Sequence, residues 1–424
     1  MNPREKRALG TALASSRLES VGKGTWRVAA TLLALALPSP AFAAADMLTD
    51  PYFPMNGWQT KIGWSPPARD VYYPVIAIVD SGLWSGFDDF AGYLDDESAD
   101  CTATSGAVRR MELPADVTDS DGHGTKVATL AAAPANGKGS VGVSPNSHVI
   151  VVRVTIDNER FGVVCAFNYL AGIARAQPLV VNLSFEFGKA PPGAPEALGR
   201  LIKAGALVVA AAGNNPGPVQ WPANAPHVLA VGLDHVAGAS GRELDLVAPG
   251  SNLRLPDLNG QWRTGADSGT SFSSPIVAGA AARVWGPLPV SEPQVITYLL
   301  RKNAKKLGPR FGFGLVNIGA ALAAGTRYRP PINESEPNDN RSTAQVKWRC
   351  ARTCTLRGLV TSTDDRIDFW RLRGRGKCPA RKLRVAGGVT AKCFRMSGRG
   401  GGTFVKVQAR KRLSLGLYTI TVPR

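Results

Sequence analysis

Five continuous apolar residues, Val75-Ile-Ala-Ile-Val79, run into a carboxylate at Asp80, and no other feature constrains the fold of this chain as strongly. An unbroken run of this kind, rich in β-branched types, predicts a strand buried on both faces. The pattern returns at Val149–Val154, Leu179–Leu183, Ala206–Ala212 and Val228–Gly232, and stretches of helical composition such as Ala166–Ala176 and Glu196–Ala204 lie between several of these runs. Strands that alternate with helices predict an α/β fold, a doubly wound parallel sheet with helices on both faces. Further helices are expected over Pro275–Trp285 and Ser291–Lys302.

The 424 residues suffice for one large α/β domain and a small partner. Hydrophobic residues at 44% and charged residues at 19% are those of a folded globular chain, and 46 Gly with 31 Pro are too few for a low-complexity or collagen-like one. The net charge of +18 is carried by the two ends. Residues from Gly325 to Arg424 hold 23 Lys and Arg against 6 Asp and Glu, the first 43 residues carry +4, and the section between carries −3. The texture also changes near residue 326: a linker with Pro330-Pro331 is expected over 326–333. Short alternating strands such as Thr403–Val407 and Leu417–Val422 then predict a small all-β module over 334–424.

The amino end reads as an export signal: Arg4, Lys6, Arg7, Arg17, Lys23 and Arg27 precede the apolar run Val28–Leu37, and Ala41-Phe42-Ala43 follows. Cleavage is expected after about Ala43, which leaves a large domain over 44–325. Pro38 interrupts the run well short of the 20 or so apolar residues that a membrane span needs. A secreted or cell-envelope, extracytoplasmic and bacterial location follows. Six cysteines suit an oxidising compartment. Proximity alone selects Cys101–Cys165, Cys350–Cys354 and Cys378–Cys393 from the 15 connectivities that six cysteines allow. The four histidines show no ligand spacing beside any cysteine, so no zinc site is expected.

Three segments carry groups suited to chemistry. Asp80 stands at the carboxyl end of a buried strand, where open α/β sheets place functional residues. His123, in Asp119-Ser-Asp-Gly122-His123-Gly124-Thr125, has glycines on both sides, which let neighbouring backbone approach the ring, and precedes a helical run over Lys126–Ala133. Ser271, in Ser268-Gly269-Thr270-Ser271-Phe272-Ser273-Ser274-Pro275, is expected at a helix N-terminus with Pro275 just inside the first turn. Each alone is compatible with a capping or structural role. Together they supply an orienting carboxylate, a base and a nucleophile. The order Asp, His, Ser excludes the α/β-hydrolase and chymotrypsin arrangements. Ala210-Ala-Ala-Gly213-Asn214-Asn215 closes another buried strand with a side-chain amide at Asn214.

On these motifs the chain resembles the subtilisin family (subtilases) of serine endopeptidases over about 280 residues, Asp50 to Ala324. Val181-Asn-Leu-Ser184, Trp221-Pro222-Ala223, Asp245-Leu-Val-Ala-Pro249-Gly250 and Gly312-Phe-Gly-Leu-Val-Asn317 share in the resemblance. It implies a catalytic set of Asp80, His123 and Ser271, with Asn214 as oxyanion donor and protein or peptide substrates. It also implies a substrate-binding wall of Ser184, Phe185, Glu186, Ala211, Ala212 and Gly213. No cofactor is required for the chemistry. Structural calcium is possible in such a protein, and the acidic loop Asp88–Asp100 could supply carboxylates. The chain departs from the family at Phe272-Ser273, where Met-Ala is usual, at Lys126, where a second His is common, and at Phe185-Glu186-Phe187, where small residues are usual. About 36 residues between the expected cleavage point and Asp80 are too few for a folded propeptide.

Beyond residue 334, Glu336-Pro-Asn-Asp339, Leu356-Arg-Gly358 and Asp364-Asp-Arg-Ile-Asp368-Phe369 resemble the β-sandwich called the bacterial pre-peptidase C-terminal domain. The net charge of +17 over 325–424 implies attraction of such a surface to anionic cell-envelope polymers. No module for sequence-specific nucleic acid is evident, and a monomer is expected.

Overall fold

The computed structural model describes residues 49–327, apart from 54–56, 69–70, 104, 156–159, 236–237, 266 and 289–291, together with the backbone of strands between 345 and 423. The expected export signal and most of the expected linker lie outside the described residues. The strands of the larger part are β1 (Val75–Asp80), β2 (Ala99–Asp100), β3 (Arg109–Arg110), β4 (Val149–Arg153), β5 (Leu179–Leu183), β6 (Leu207–Ala211), β7 (Val228–Leu233), β8 (Leu246–Ala248), β9 (Arg254–Pro256), β10 (Trp262–Thr264) and β11 (Gly314–Leu315). Its helices are α1 (Trp58–Lys61), α2 (His123–Ala132), α3 (Arg160–Ala174), α4 (Ala194–Lys203), α5 (Thr270–Trp285), α6 (Pro293–Lys302) and α7 (Ile318–Gly325).

Nine strands form one sheet in the order β11-β8-β7-β6-β5-β1-β4-β2-β3, with every pairing parallel except that of β2 with β3. All six residues of β1 and all five of β5 and β6 are buried, Asp80 and Asn182 included, as in a sheet covered on both faces. Helices α2 and α5 pack together against β1, and α3 packs with α4. The chain fills one flank of β1 as far as β4 and then crosses to β5 on the other flank. The strand order therefore reverses between β1 and β5, and a crevice opens beyond their carboxyl ends. Register places Val79 beside Leu183 and Asp80 beside Arg153, so Asp80 and the next residue after β5, Ser184, stand level at the mouth of that crevice.

Most strands begin and end within one residue of expectation, and β5 matches it residue for residue. Helix α5 differs. It begins at Thr270, five residues before the expected start, so Pro275 lies inside the helix rather than in its first turn. Proline has no N–H to give the carbonyl four residues back, which here is that of Ser271. The Ser184 hydroxyl donates to that carbonyl at 2.8 Å and lets the helix continue.

Cys101 and Cys165 form a disulfide that links the segment after β2 to α3 across 64 residues, as the proximity pairing expects. The side chains of the other four cysteines lie outside the described residues. Beyond residue 344, strands β12 (Gln345–Lys347), β13 (Thr353–Val360), β14 (Ile367–Leu372), β15 (Arg384–Ala386), β16 (Val389–Met396), β17 (Gly402–Ala409) and β18 (Gly416–Pro423) make two sheets, in the orders β12-β14-β17-β16 and β13-β18-β15. Among the described residues no helix is long and apolar enough to cross a membrane.

Candidate active site

Asp80, His123, Ser184, Ser271 and Asn214 meet in one cleft of about 450 Å³ at the crevice between β1 and β5. Asp80 is fully buried and accepts at Oδ1 from the His123 ring nitrogen Nδ1 at 2.8 Å and from the Ser81 N–H at 2.8 Å. His123 opens α2. Its approach to β1 depends on the next residue: a Cβ on Gly124 would stand 2.3 Å from the Gly82 carbonyl oxygen, so only glycine lets the two segments meet. Asp119 shapes the turn before the helix, accepting from the N–H groups of Asp121 and Gly122 at one oxygen and from the N–H and hydroxyl of Thr125 at the other.

Burial by itself would lower the basicity of the His123 imidazole. The charge and hydrogen bond of Asp80, with the charges of Asp121 and Asp119, outweigh it, so the pKa lies above the ordinary histidine value. Phe272, one of the departures from the family pattern, packs its buried ring 5.5 Å from the imidazole, centroid to centroid. Lys126, another departure, pairs with Asp267 at 2.8 Å and ties α2 to the segment that leads into α5.

The Ser271 hydroxyl donates to the Ser184 carbonyl at 3.0 Å, rather than to His123. Ser184 in turn accepts from the Asn182 amide at 2.9 Å, while Asn182 Oδ1 accepts from the Ser274 hydroxyl at 2.7 Å. Thr270 fixes the orientation of Asn214. Its N–H and hydroxyl both donate to Asn214 Oδ1, at 2.8 and 3.1 Å, which leaves the Asn214 NH₂ group for the cleft. Sequence reasoning missed Thr270 and Asn182, although both stand in quoted motifs. Their type signals hydrogen bonding, but only the fold shows to what.

Of the expected substrate wall, Ser184, Phe185, Glu186 and Ala211 line the cleft. Ala212 is fully buried and does not line it, and Gly213 stands behind Glu186. The two phenylalanines that flank Glu186 are buried: Phe185 meets Phe187 edge-on at 5.6 Å, and Phe187 packs on Trp221 at 5.8 Å. The bulk of this segment therefore sits largely under the cleft.

No group of three or more His, Cys, Asp or Glu gathers for a metal among the described residues. The acidic loop is mostly engaged: Asp100 and Glu97 pair with Arg109 and Arg110, Asp88 pairs with Lys138, and Asp95 caps the Glu97 N–H. Asp89 is the buried exception. It is 1% exposed, neither of its carboxylate oxygens has a partner, and it faces Asp50, which is 2% exposed and has one orphaned oxygen. Burial pushes Asp50 up to about 6; burial and the Asp50 charge push Asp89 up to about 8. Asn136 joins the two, its N–H reaching Asp50 and its amide donating to the Asp89 carbonyl.

Fold and cleft together define a serine peptidase of the subtilisin kind. The chain belongs to the Subtilase family, whose model matches residues 73–316, more than half of its length. It is 29% identical over 259 residues to Subtilisin of Bacillus pumilus, covering 58% of this chain and 90% of the relative. It is 35% identical over 214 residues to Alkaline protease of Alkalihalobacillus alcalophilus, covering 48% and 55%. Against Subtilisin E of Bacillus subtilis it spans 65% of the relative's length at 28% identity. Among solved structures, Sphericase superposes with a TM-score of 0.52 at 23% identity, over 62% of this chain and 97% of that one, a likeness of fold.

Proposed function

We propose that the chain is an exported serine endopeptidase in which Ser271 attacks the peptide carbonyl, His123 accepts its proton and Asp80 orients the imidazole. The observation that carries this reading is the 2.8 Å bond from Asp80 to His123 Nδ1, which leaves Nε2 as the base on the cleft side. A rotation about the Cα–Cβ bond carries the Ser271 hydroxyl from the Ser184 carbonyl to that nitrogen. Its oxygen forms the bond to the carbonyl carbon, and the Asn214 NH₂ group with the Ser271 N–H receives the developing oxyanion. The imidazolium then protonates the leaving amine, and water resolves the acyl-enzyme by the same route. Labelling of the purified protein with a fluorophosphonate tests the reading. Modification should map to Ser271 and vanish in Ser271→Ala; a protein that never labels contradicts it.

Asp50 and Asp89 would hold a calcium ion that stabilises the fold and takes no part in the chemistry. The basic segment beyond residue 334 would bind anionic cell-envelope polymers, with its net positive charge as the attracting feature. Retention of the full-length protein on isolated envelope should weaken steeply as salt rises from about 0.05 to 0.5 M. Retention without salt dependence would sink that role.

A further inference from the structure

Glu186 is the one charged side chain that the segment after Ser184 brings to the cleft, and among the described residues no hydrogen bond or ion pair answers its charge. Its Oε2 is shut off from solvent without a hydrogen-bond partner, and among the described residues neither carboxylate oxygen has one. Arg153, which lines the same cleft, donates to the Thr118 carbonyl at 3.4 Å, and its charge bears on Asp100. Burying a carboxylate oxygen without a donor is unfavourable, so such a group in a native fold calls for a partner from outside.

The position of Glu186 identifies the partner. Its Oε2 lies 2.4 Å from where a Cβ on Gly213 would stand, with the Ala239 Cβ and the Gln220 Cγ 3.2 and 3.3 Å from that same point. Gly213 has φ of +115° and no side chain, so the carboxylate occupies room that any other residue would fill. The residue after it is Asn214, whose amide faces the oxygen of the attacked carbonyl. The substrate side chain nearest Gly213 is therefore that of the residue contributing this carbonyl. A primary amine or guanidinium there would donate to Glu186 and supply the missing charge.

We propose that Glu186 makes this peptidase select substrates with lysine or arginine at the residue whose carbonyl Ser271 attacks. The proposal rests on the serine-peptidase reading above and adds the class of its substrate. A site that hydrogen-bonds a substrate group rejects analogues without it, because its own buried group is then left unpaired. Neutral side chains at that position leave Glu186 orphaned, and acidic ones add repulsion.

The test uses the full-length purified protein and matched fluorogenic peptides that differ only at that residue: Lys, Arg, Leu, Phe or Glu. The expected result is a kcat/KM for Lys and Arg peptides at least about 10-fold above that for Leu and Phe. In Glu186→Gln the Lys-to-Leu ratio should fall by about 10–100-fold, the range for losing one charge-assisted hydrogen bond. In Glu186→Lys the preference should turn toward the Glu peptide. A ratio unchanged in Glu186→Gln, or a wild-type protein that favours Leu or Phe, overturns the proposal. Fluorophosphonate labelling of every variant separates the two readings: protein that labels at Ser271 without a basic preference loses only the specificity, and protein that neither labels nor cleaves loses both.

Discussion

Ser184 and Ser271 hold each other through a reciprocal pair of hydrogen bonds, each hydroxyl donating to the other's carbonyl, at 2.8 and 3.0 Å. The first of these replaces the helical bond that Pro275 cannot make. Ser184→Ala should leave the Ser271 carbonyl unsatisfied and lower stability by about 1–3 kcal/mol, read from the denaturant midpoint. Adding Pro275→Ala restores an N–H at the right place, so the double variant should recover part of the loss. Simple addition of the two single effects would show that the carbonyl is not the point of coupling.

Turnover should depend on pH through His123. Its pKa is raised, and the imidazole acts as a base only when neutral, so the acid limb of kcat/KM should have its midpoint above about 6.5. Asp121 is one of the carboxylates that raise it. Asp121→Asn should therefore move the limb to lower pH, and a limb that moves upward would reverse the electrostatic account.

Removing the Asn214 side chain should lower kcat by about 10²–10³ with little change in KM, as expected of an oxyanion donor. Thr270→Val keeps the amide but deletes one of the two donors that orient it. About a 2–10-fold loss is expected there, the effect of one hydrogen bond. Steady-state kinetics on one peptide checks both, and equal losses in the two variants would argue against an orienting role for Thr270.

Chelation should destabilise the protein. A cation present at 100 times its dissociation constant contributes about 2.7 kcal/mol, so EDTA should lower Tm by several degrees and added calcium should restore it. In Asp89→Asn the chelator should have little further effect. A wild-type Tm indifferent to EDTA would exclude a cation between Asp50 and Asp89.

The sheet was legible because short, β-branched apolar runs such as Val75–Val79 favour a strand covered on both sides. The helix that carries Ser271 was harder to bound. Pro275 reads as an early helical position, and only the hydroxyl of Ser184, 87 residues away, allows the helix to start before it. The meeting of Asp80, His123 and Ser271 was legible through motif order, since each stands at the end of a strand or the start of a helix. The pairing of Asp50 with Asp89 was not, because it depends on how the chain around Asn136 folds over both. Glu186 was visible as a departure from small residues, but its orphaned oxygen is a property of the assembled cleft.

The Cys101–Cys165 bridge has a consequence for self-digestion, the characteristic hazard of a concentrated peptidase. The stretch around Val108 to Leu113 is exposed, with Leu113 at 65%, and carries Arg109 and Arg110, so it offers a second molecule an accessible target. Any cut there falls inside the bridged loop. The piece bearing Asp80 and the piece bearing His123 and Ser271 would remain one covalent molecule, and the nick would be survivable where an unbridged chain would come apart.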